Sequence, residues 1–170
     1  VYRLDPTAQS RWDVTGPYER LSVLLAEVLR TGDSPLEVGR RAVGHVGLNV
    51  PDLDTARAYY DQLMPALGYE PFVVDDDQFA YLPADNRRGA FVFFYPSADP
   101  GEDSRHTTGL QHLAFMVDTR AQVDAAHALV ADLGSEVVHA PREWPEYPPP
   151  YYATFWLDPH GFLLEAVCHK

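Results

Sequence analysis

Cysteine is nearly absent from the chain: the single thiol, Cys168, excludes an intramolecular disulfide framework and makes a reducing compartment the default expectation. Basic residues are scarce as well. With 13 Lys and Arg against 25 Asp and Glu, the formal net charge is -12, which argues against unspecific attraction to nucleic-acid phosphates or anionic lipid and favours cationic ligands. Long apolar runs are missing too. No segment approaches the roughly 18 apolar residues of a membrane-spanning helix, and the opening Val1-Tyr2-Arg3-Leu4-Asp5-Pro6 holds no apolar run of signal-peptide length. A soluble, cytoplasmic protein without nucleic-acid or membrane partners is expected. What the chain does have is apolar side chains, 46% of its 170 residues, enough for one compact unit or two small modules sharing a core.

Residues 1–41 stand apart. Gly16-Pro17 precedes Leu21, Leu24, Leu25, Val28 and Leu29, the stripe of an amphipathic helix, with Gly32 as its stop; a second short helix is expected over Pro35 to Arg41. This N-terminal helical arm is expected to lay its leucines on the main body or on a second subunit. From residue 42 onward the pattern is strand, helix, three strands, and then the same again. The first strand, Ala42 to Val50, alternates Val46, Leu48 and Val50 with His45, Gly47 and Asn49. A helix follows from Pro51-Asp52 to near Gly68, then strands at Tyr69–Val74, Gln78–Leu82 and Gly89–Tyr95 with turn-forming residues between them. A polar linker over 97–109 leads to the second pass. It opens on Leu110 to Val117, continues with a helix capped by Asp118 and stopped by Gly134, and ends with strands at Glu136–Ala140, Tyr151–Leu157 and Phe162–Val167. His45 and His112 stand one module length apart at matching places, as an internal duplication would put them. The expected fold class is α+β, two βαβββ modules over about 42–98 and 110–169 forming a cupped mixed sheet.

The last strand, within Gly161-Phe162-Leu163-Leu164-Glu165-Ala166-Val167-Cys168-His169, carries one carboxylate among apolar residues. Burying it ionised costs several kcal/mol unless a cation, an arginine or a metal pairs with it. No Lys or Arg lies near in sequence except Lys170. His45 and His112, on equivalent strands and opposite the helix-packing faces, are the candidate partners. Two imidazoles and a carboxylate on one side of a cation suit Fe(II) and related divalent ions, and Zn(II) accepts the same set.

With Gly44-His45-Val46-Gly47-Leu48-Asn49-Val50 and Gln111-His112-Leu113-Ala114-Phe115 opening the modules and Asp158-Pro159-His160-Gly161-Phe162-Leu163-Leu164-Glu165 closing the second, the chain resembles the vicinal oxygen chelate superfamily. That group includes glyoxalase I, type I extradiol dioxygenases, fosfomycin resistance proteins and bleomycin resistance proteins. The resemblance covers residues 42–169. It implies a cup of strands, a divalent metal ion (Fe, Mn, Ni or Zn) on His45, His112 and Glu165, and a small-molecule substrate that chelates the ion through neighbouring oxygens. Lyase, isomerase and dioxygenase chemistry all fit, with the ion as Lewis acid or as the place where O2 and substrate meet. Superfamily modules pair within or between chains, so a homodimer fits as well.

Three departures matter. Glyoxalase I would carry a further metal-binding carboxylate where this chain has Phe93. The extradiol dioxygenases would carry a tyrosine ten residues before the glutamate, where this chain has Phe155; Tyr151 and Tyr152 are the nearest. Those enzymes also keep an acid-base histidine on the strand that here runs Phe91 to Tyr95. His139, Tyr152 and the linker's His106 are the candidates for that missing proton chemistry. The stretch Trp144-Pro145-Glu146-Tyr147-Pro148-Pro149-Pro150-Tyr151-Tyr152 is expected to wall the pocket with Trp144, Tyr147 and Tyr151, opposite Tyr81, Phe93 and Tyr95. The alternative function is metal-free sequestration of a drug in an acidic, aromatic groove, as in bleomycin resistance proteins.

Overall fold

The computed structural model describes residues 44–85, 87, 89–99, 106 and 108–170. The arm expected over 1–41 and most of the linker lie outside the described residues. The elements run β1 (His45–Val50), α1 (Leu53–Ala66), β2 (Tyr69–Asp75), β3 (Gln78–Pro83) and β4 (Phe91–Pro96), then β5 (Leu113–Met116), α2 (Arg120–Asp132), β6 (Val137–Glu143), β7 (Tyr152–Leu157) and β8 (Leu163–Cys168). All belong to one compact unit, Gly44–Lys170.

Each module forms its own four-stranded mixed sheet, ordered β1-β4-β3-β2 and β5-β8-β7-β6. The first strand of each lies parallel to the last, β1 on β4 and β5 on β8, and the other pairs are antiparallel. Because the helix returns the chain across the sheet before the remaining strands are laid down, the first and last strands run the same way. Among the described strands no ladder joins β1 to β5, so the two sheets are separate and β1 and β5 are each a sheet edge.

Local chemistry fixes the helix ends. Asp52 caps α1 by accepting from the Thr55 amide at 2.6 Å. The cap of α2 is Thr119, not Asp118 as expected: Thr119 accepts from the Gln122 amide while the Gln122 side chain accepts from the Thr119 amide, a reciprocal capping box. Asp118 is free for another task, and Arg87 and Lys170 approach it to 2.8 and 3.0 Å. Gly68 and Gly134, at φ +81° and +78°, let the chain leave each helix in a left-handed turn.

Strand alternation sorts the side chains. Leu48, Val50, Phe79, Tyr81, Val92 and Phe94 of the first sheet meet Ala56, Tyr60, Leu63 and Met64 of α1. Phe115, Trp156, Leu164, Ala166 and Cys168 of the second meet Val123, Ala126 and Val130 of α2. These residues form a single cluster, so the helices lie between the sheets and the modules share one core. Each fully buried Leu, Phe or Val in it contributes about 1.5–3 kcal/mol.

A polar bolt crosses this core. The Tyr60 hydroxyl of α1 donates to Asp158 Oδ2 at 2.8 Å, while the backbone N–H groups of His160 and Phe162 donate to Oδ1. Asp158 is 5% exposed, and burial pushes its carboxyl above the usual aspartate value against the pull of these donors. Asp158→Ala orphans a buried hydroxyl and two amides and should cost about 3 kcal/mol in urea unfolding. The pH dependence follows from the raised value. The folded protein holds this proton more tightly than the unfolded chain, so the contribution is present at acid pH and is lost as pH rises through the folded value. Asp158→Asn should therefore flatten the fall in stability above the ordinary aspartate range, and unfolding midpoints measured across that range check it.

Candidate metal centre

The alternation that places Leu164, Ala166 and Cys168 in the shared core turns Leu163, Glu165 and Val167 to the opposite, outer face of the second sheet. Glu165 sits there with no exposed surface, registered between Ala114 on β5 and Phe155 on β7. The Tyr151 hydroxyl donates to Oε1 at 2.6 Å. His112 Nε2 lies 3.1 Å from Oε2, which is otherwise buried without a donor. On the far side of the imidazole, Nδ1 meets Gln111 Oε1. Burial raises the Glu165 carboxyl above the usual glutamate value, with Tyr151 and then His112 opposing it. Burial and Glu165 together hold the Tyr151 phenol well above its ordinary value, which keeps it a donor.

Aromatic rings surround this pair. Phe155 stands edge-on to His112 with centroids 6.0 Å apart. His139 lies between Trp144 and Phe155, at 5.0 and 5.8 Å from their rings. Trp144 anchors the proline-rich segment by donating Nε1–H to Ala153 O at 3.3 Å, and the Arg142 guanidinium lies 3.5 Å over its ring. Tyr147 is tilted against Tyr151 at 4.7 Å. His139, Trp144, Tyr147, Tyr151 and Phe155 thus form one continuous neighbourhood around Glu165.

Two expected site residues are elsewhere, for the same reason of strand parity. Tyr152, one residue from Tyr151, faces α2 and donates to Asp124 Oδ1 at 2.8 Å, so it is no candidate for proton transfer at Glu165. Tyr81 is 1% exposed in the shared core and donates to Asp61 Oδ1 at 2.8 Å, so it walls no pocket.

The outer face of the first sheet is aromatic. His45 stands edge-on to Phe93 at 5.5 Å, Phe93 stacks on Tyr95 at 6.0 Å, and Phe72 meets Phe91 at 5.1 Å. Gly47 makes room for Tyr95, since a Cβ there would lie 3.3 Å from the ring. The expected convergence of His45 with His112 and Glu165 does not occur within the chain: among the described residues, no three His, Cys, Asp or Glu side chains are grouped to hold a metal ion. On the two outer faces His45 meets Phe93, while His112 meets Phe155 and Glu165. A cleft of about 300 Å³ between the β1 and β5 edges, lined by Val46, Tyr69, Arg87, Leu113 and Met116, is not the site either, since none of the three expected ligands lines it.

The sequence reading missed Gln111 as a partner of His112 and Tyr151 as a partner of Glu165. The first signal was available in the adjacent polar residue. The second needed the return path of the proline-rich segment, which spacing does not reveal.

A family model, Glyoxalase/Bleomycin resistance protein/Dioxygenase superfamily, matches residues 42–166. The chain belongs to this superfamily. An uncharacterized protein of Pseudomonas aeruginosa is 31% identical over 71% of this chain and 84% of its own. Among solved structures, a glyoxalase/bleomycin resistance protein from Albidiferax ferrireducens shares the fold with a TM-score of 0.60, at 22% identity over 75% of this chain and 98% of its own. Lactoylglutathione lyase from Agrobacterium tumefaciens shares it with a TM-score of 0.54, at 21% identity over 75% of this chain and 92% of its own.

The superfamily's frequent use of divalent metals meets a suitable donor pair here. A buried carboxylate oxygen 3.1 Å from an imidazole nitrogen is chemically suited to a cation held by both. A carboxylate kept for function and not for folding is a stability cost. Glu165→Met should raise the urea-unfolding free energy of metal-free protein by about 1 kcal/mol. A clear loss instead would make Glu165 a structural residue.

Proposed function

We propose that this superfamily member is a divalent-metal-dependent enzyme acting on a small substrate with adjacent oxygens, and that His112 and Glu165 hold the ion. The observation that carries the reading is the buried carboxylate of Glu165, whose Oε2 lies 3.1 Å from His112 Nε2. Bound there, a divalent ion supplies Lewis-acid polarisation of the substrate's oxygens. The chain's own residues do the rest. Glu165 contributes a negative charge that lowers the net charge at the ion, and its burial removes competing water. Phe155 and Trp144 offer flat apolar area for the rest of the substrate. His139, held between their rings, is the side chain of this neighbourhood placed to exchange a proton.

A third protein ligand is His45, supplied by a second copy of the chain. Supporting this, His45 lies on an outer face separate from the pair, and exposed apolar side chains mark these surfaces and their edges, with Met116 70%, Val74 48% and Tyr147 45% exposed. A dimer that laid the first module's outer face over the partner's second would cover them. Among the described residues no helix is long and apolar enough to cross a membrane.

Elemental analysis of protein purified without chelator should find about one Fe, Mn, Ni or Zn per chain, lost in His45→Ala, His112→Ala and Glu165→Ala. Mixing refolded His45→Ala with Glu165→Ala should recover metal binding, because one site of the mixed dimer is then complete. Recovery failing while each variant still dimerises would rule out the shared site. A parent protein without metal would instead favour sequestration of a cationic ligand at Glu165.

A further inference from the structure

We infer that Gln111 and Tyr151 are positioning residues that leave one donor atom of each ligand facing the other, and that the proline-rich segment exists to hold Tyr151 in place. The inference rests on the reading of His112 and Glu165 as metal ligands, and it concerns what makes them a preformed pair.

Each ligand has two atoms able to bind a cation, and in each one of them is occupied. Gln111 Oε1 lies against His112 Nδ1; with the amide oxygen accepting, the ring proton sits on Nδ1 and the lone pair on Nε2. The Tyr151 hydroxyl takes Glu165 Oε1, leaving Oε2. Nε2 and Oε2 then lie 3.1 Å apart, so the atom left open on each ligand is next to that of the other. With Oε1 engaged by Tyr151, binding of an ion through Oε2 alone is favoured over binding through both oxygens.

The local structure explains how these partners reach their targets. Neighbours on a strand point to opposite faces, yet Gln111 and His112 meet; the β5 ladder starts only at Leu113, so neither is bound by the pleat. Tyr151 precedes β7 and is gripped from two sides, by Tyr147 at 4.7 Å and edge-on by His169 at 4.9 Å. The segment between Trp144 and Tyr151 is closed by Trp144 N–H donating to Tyr151 O at 3.0 Å, and His169 Nδ1 lies 3.2 Å from Pro150 O. Three consecutive prolines leave the loop little freedom to lose. The segment thus acts as a brace for the ligand Glu165, a task separate from lining the pocket.

The test is Co(II) titration of the full chain, with affinity read by competition against a chromophoric chelator and geometry read from the visible absorption of the ion. Tyr151→Phe and Gln111→Leu should each bind Co(II) about 10- to 100-fold more weakly than the parent. Tyr151→Phe should also change the absorption spectrum, because Glu165 is then free to bind through both oxygens, and Gln111→Glu, which keeps the acceptor, should restore affinity. Parental affinity and spectrum in Tyr151→Phe would overturn the inference while leaving the ligands standing. Weaker binding together with a lowered unfolding midpoint of the metal-free protein would overturn it in favour of a structural role. Absence of Co(II) binding in the parent itself would remove the underlying reading and the inference with it.

Discussion

Everything about the site depends on strand parity at Glu165. The six residues of β8 are all buried, but they are buried in two places: Leu164, Ala166 and Cys168 in the core the modules share, Leu163, Glu165 and Val167 beneath the aromatic cover of the outer face. A shift of one residue in the β8 register would carry the carboxylate into the shared core, among Phe115 and Trp156. The fold therefore has a strong reason to keep its register, and that register delivers the carboxylate to the outer face. Core packing and site construction are two results of one alternation.

The same constraint shows why the architecture was readable from the sequence and the assembled site was not. Val46, Leu48 and Val50 alternating with His45, Gly47 and Asn49, followed by a helix with its stripe and then three short strands, are local signals, and they repeat. Local periodicity assigns each side chain to a face of its own sheet. It does not say whether two such faces look at each other. That question is settled by which surfaces of the modules pack together, and here the buried Tyr60–Asp158 bond and the stacking of α1 and α2 cores into one cluster join them by their helix sides. Tyr81 and Tyr152 illustrate the smaller error: both are tyrosines of the right strands but of the wrong parity, and each spends its hydroxyl on a helix aspartate. The Asp118 cap failed for another local reason, since Thr119 with Gln122 satisfies two amides where an aspartate one residue earlier satisfies none.

Comparing the two modules position by position gives the rest of the functional logic. Phe93 lies opposite Gly47 in the first sheet as Glu165 lies opposite Ala114 in the second, so the duplicated position carries a ring in one copy and a carboxylate in the other. The neighbours follow suit. Around Phe93 the face has Phe72, Phe91 and Tyr95, with Gly47 left bare so that the Tyr95 ring can lie across it. Around Glu165 it has a hydroxyl donor, an imidazole and an aromatic cover. One face offers apolar area and a single histidine; the other offers charge and directional donors.

Such a division of labour favours joining the two kinds of face over using either alone. An aromatic face without charge binds apolar groups with little orientation, and a buried carboxylate with one imidazole holds a cation with too few ligands. Brought together, the first supplies area, the remaining imidazole and exclusion of water, and the second supplies the electrostatic anchor in a medium where it is strong. Within one chain the described candidate ligands are not grouped that way. Joining the faces between chains, as proposed, would leave the shared core untouched and would cover apolar surface such as Met116.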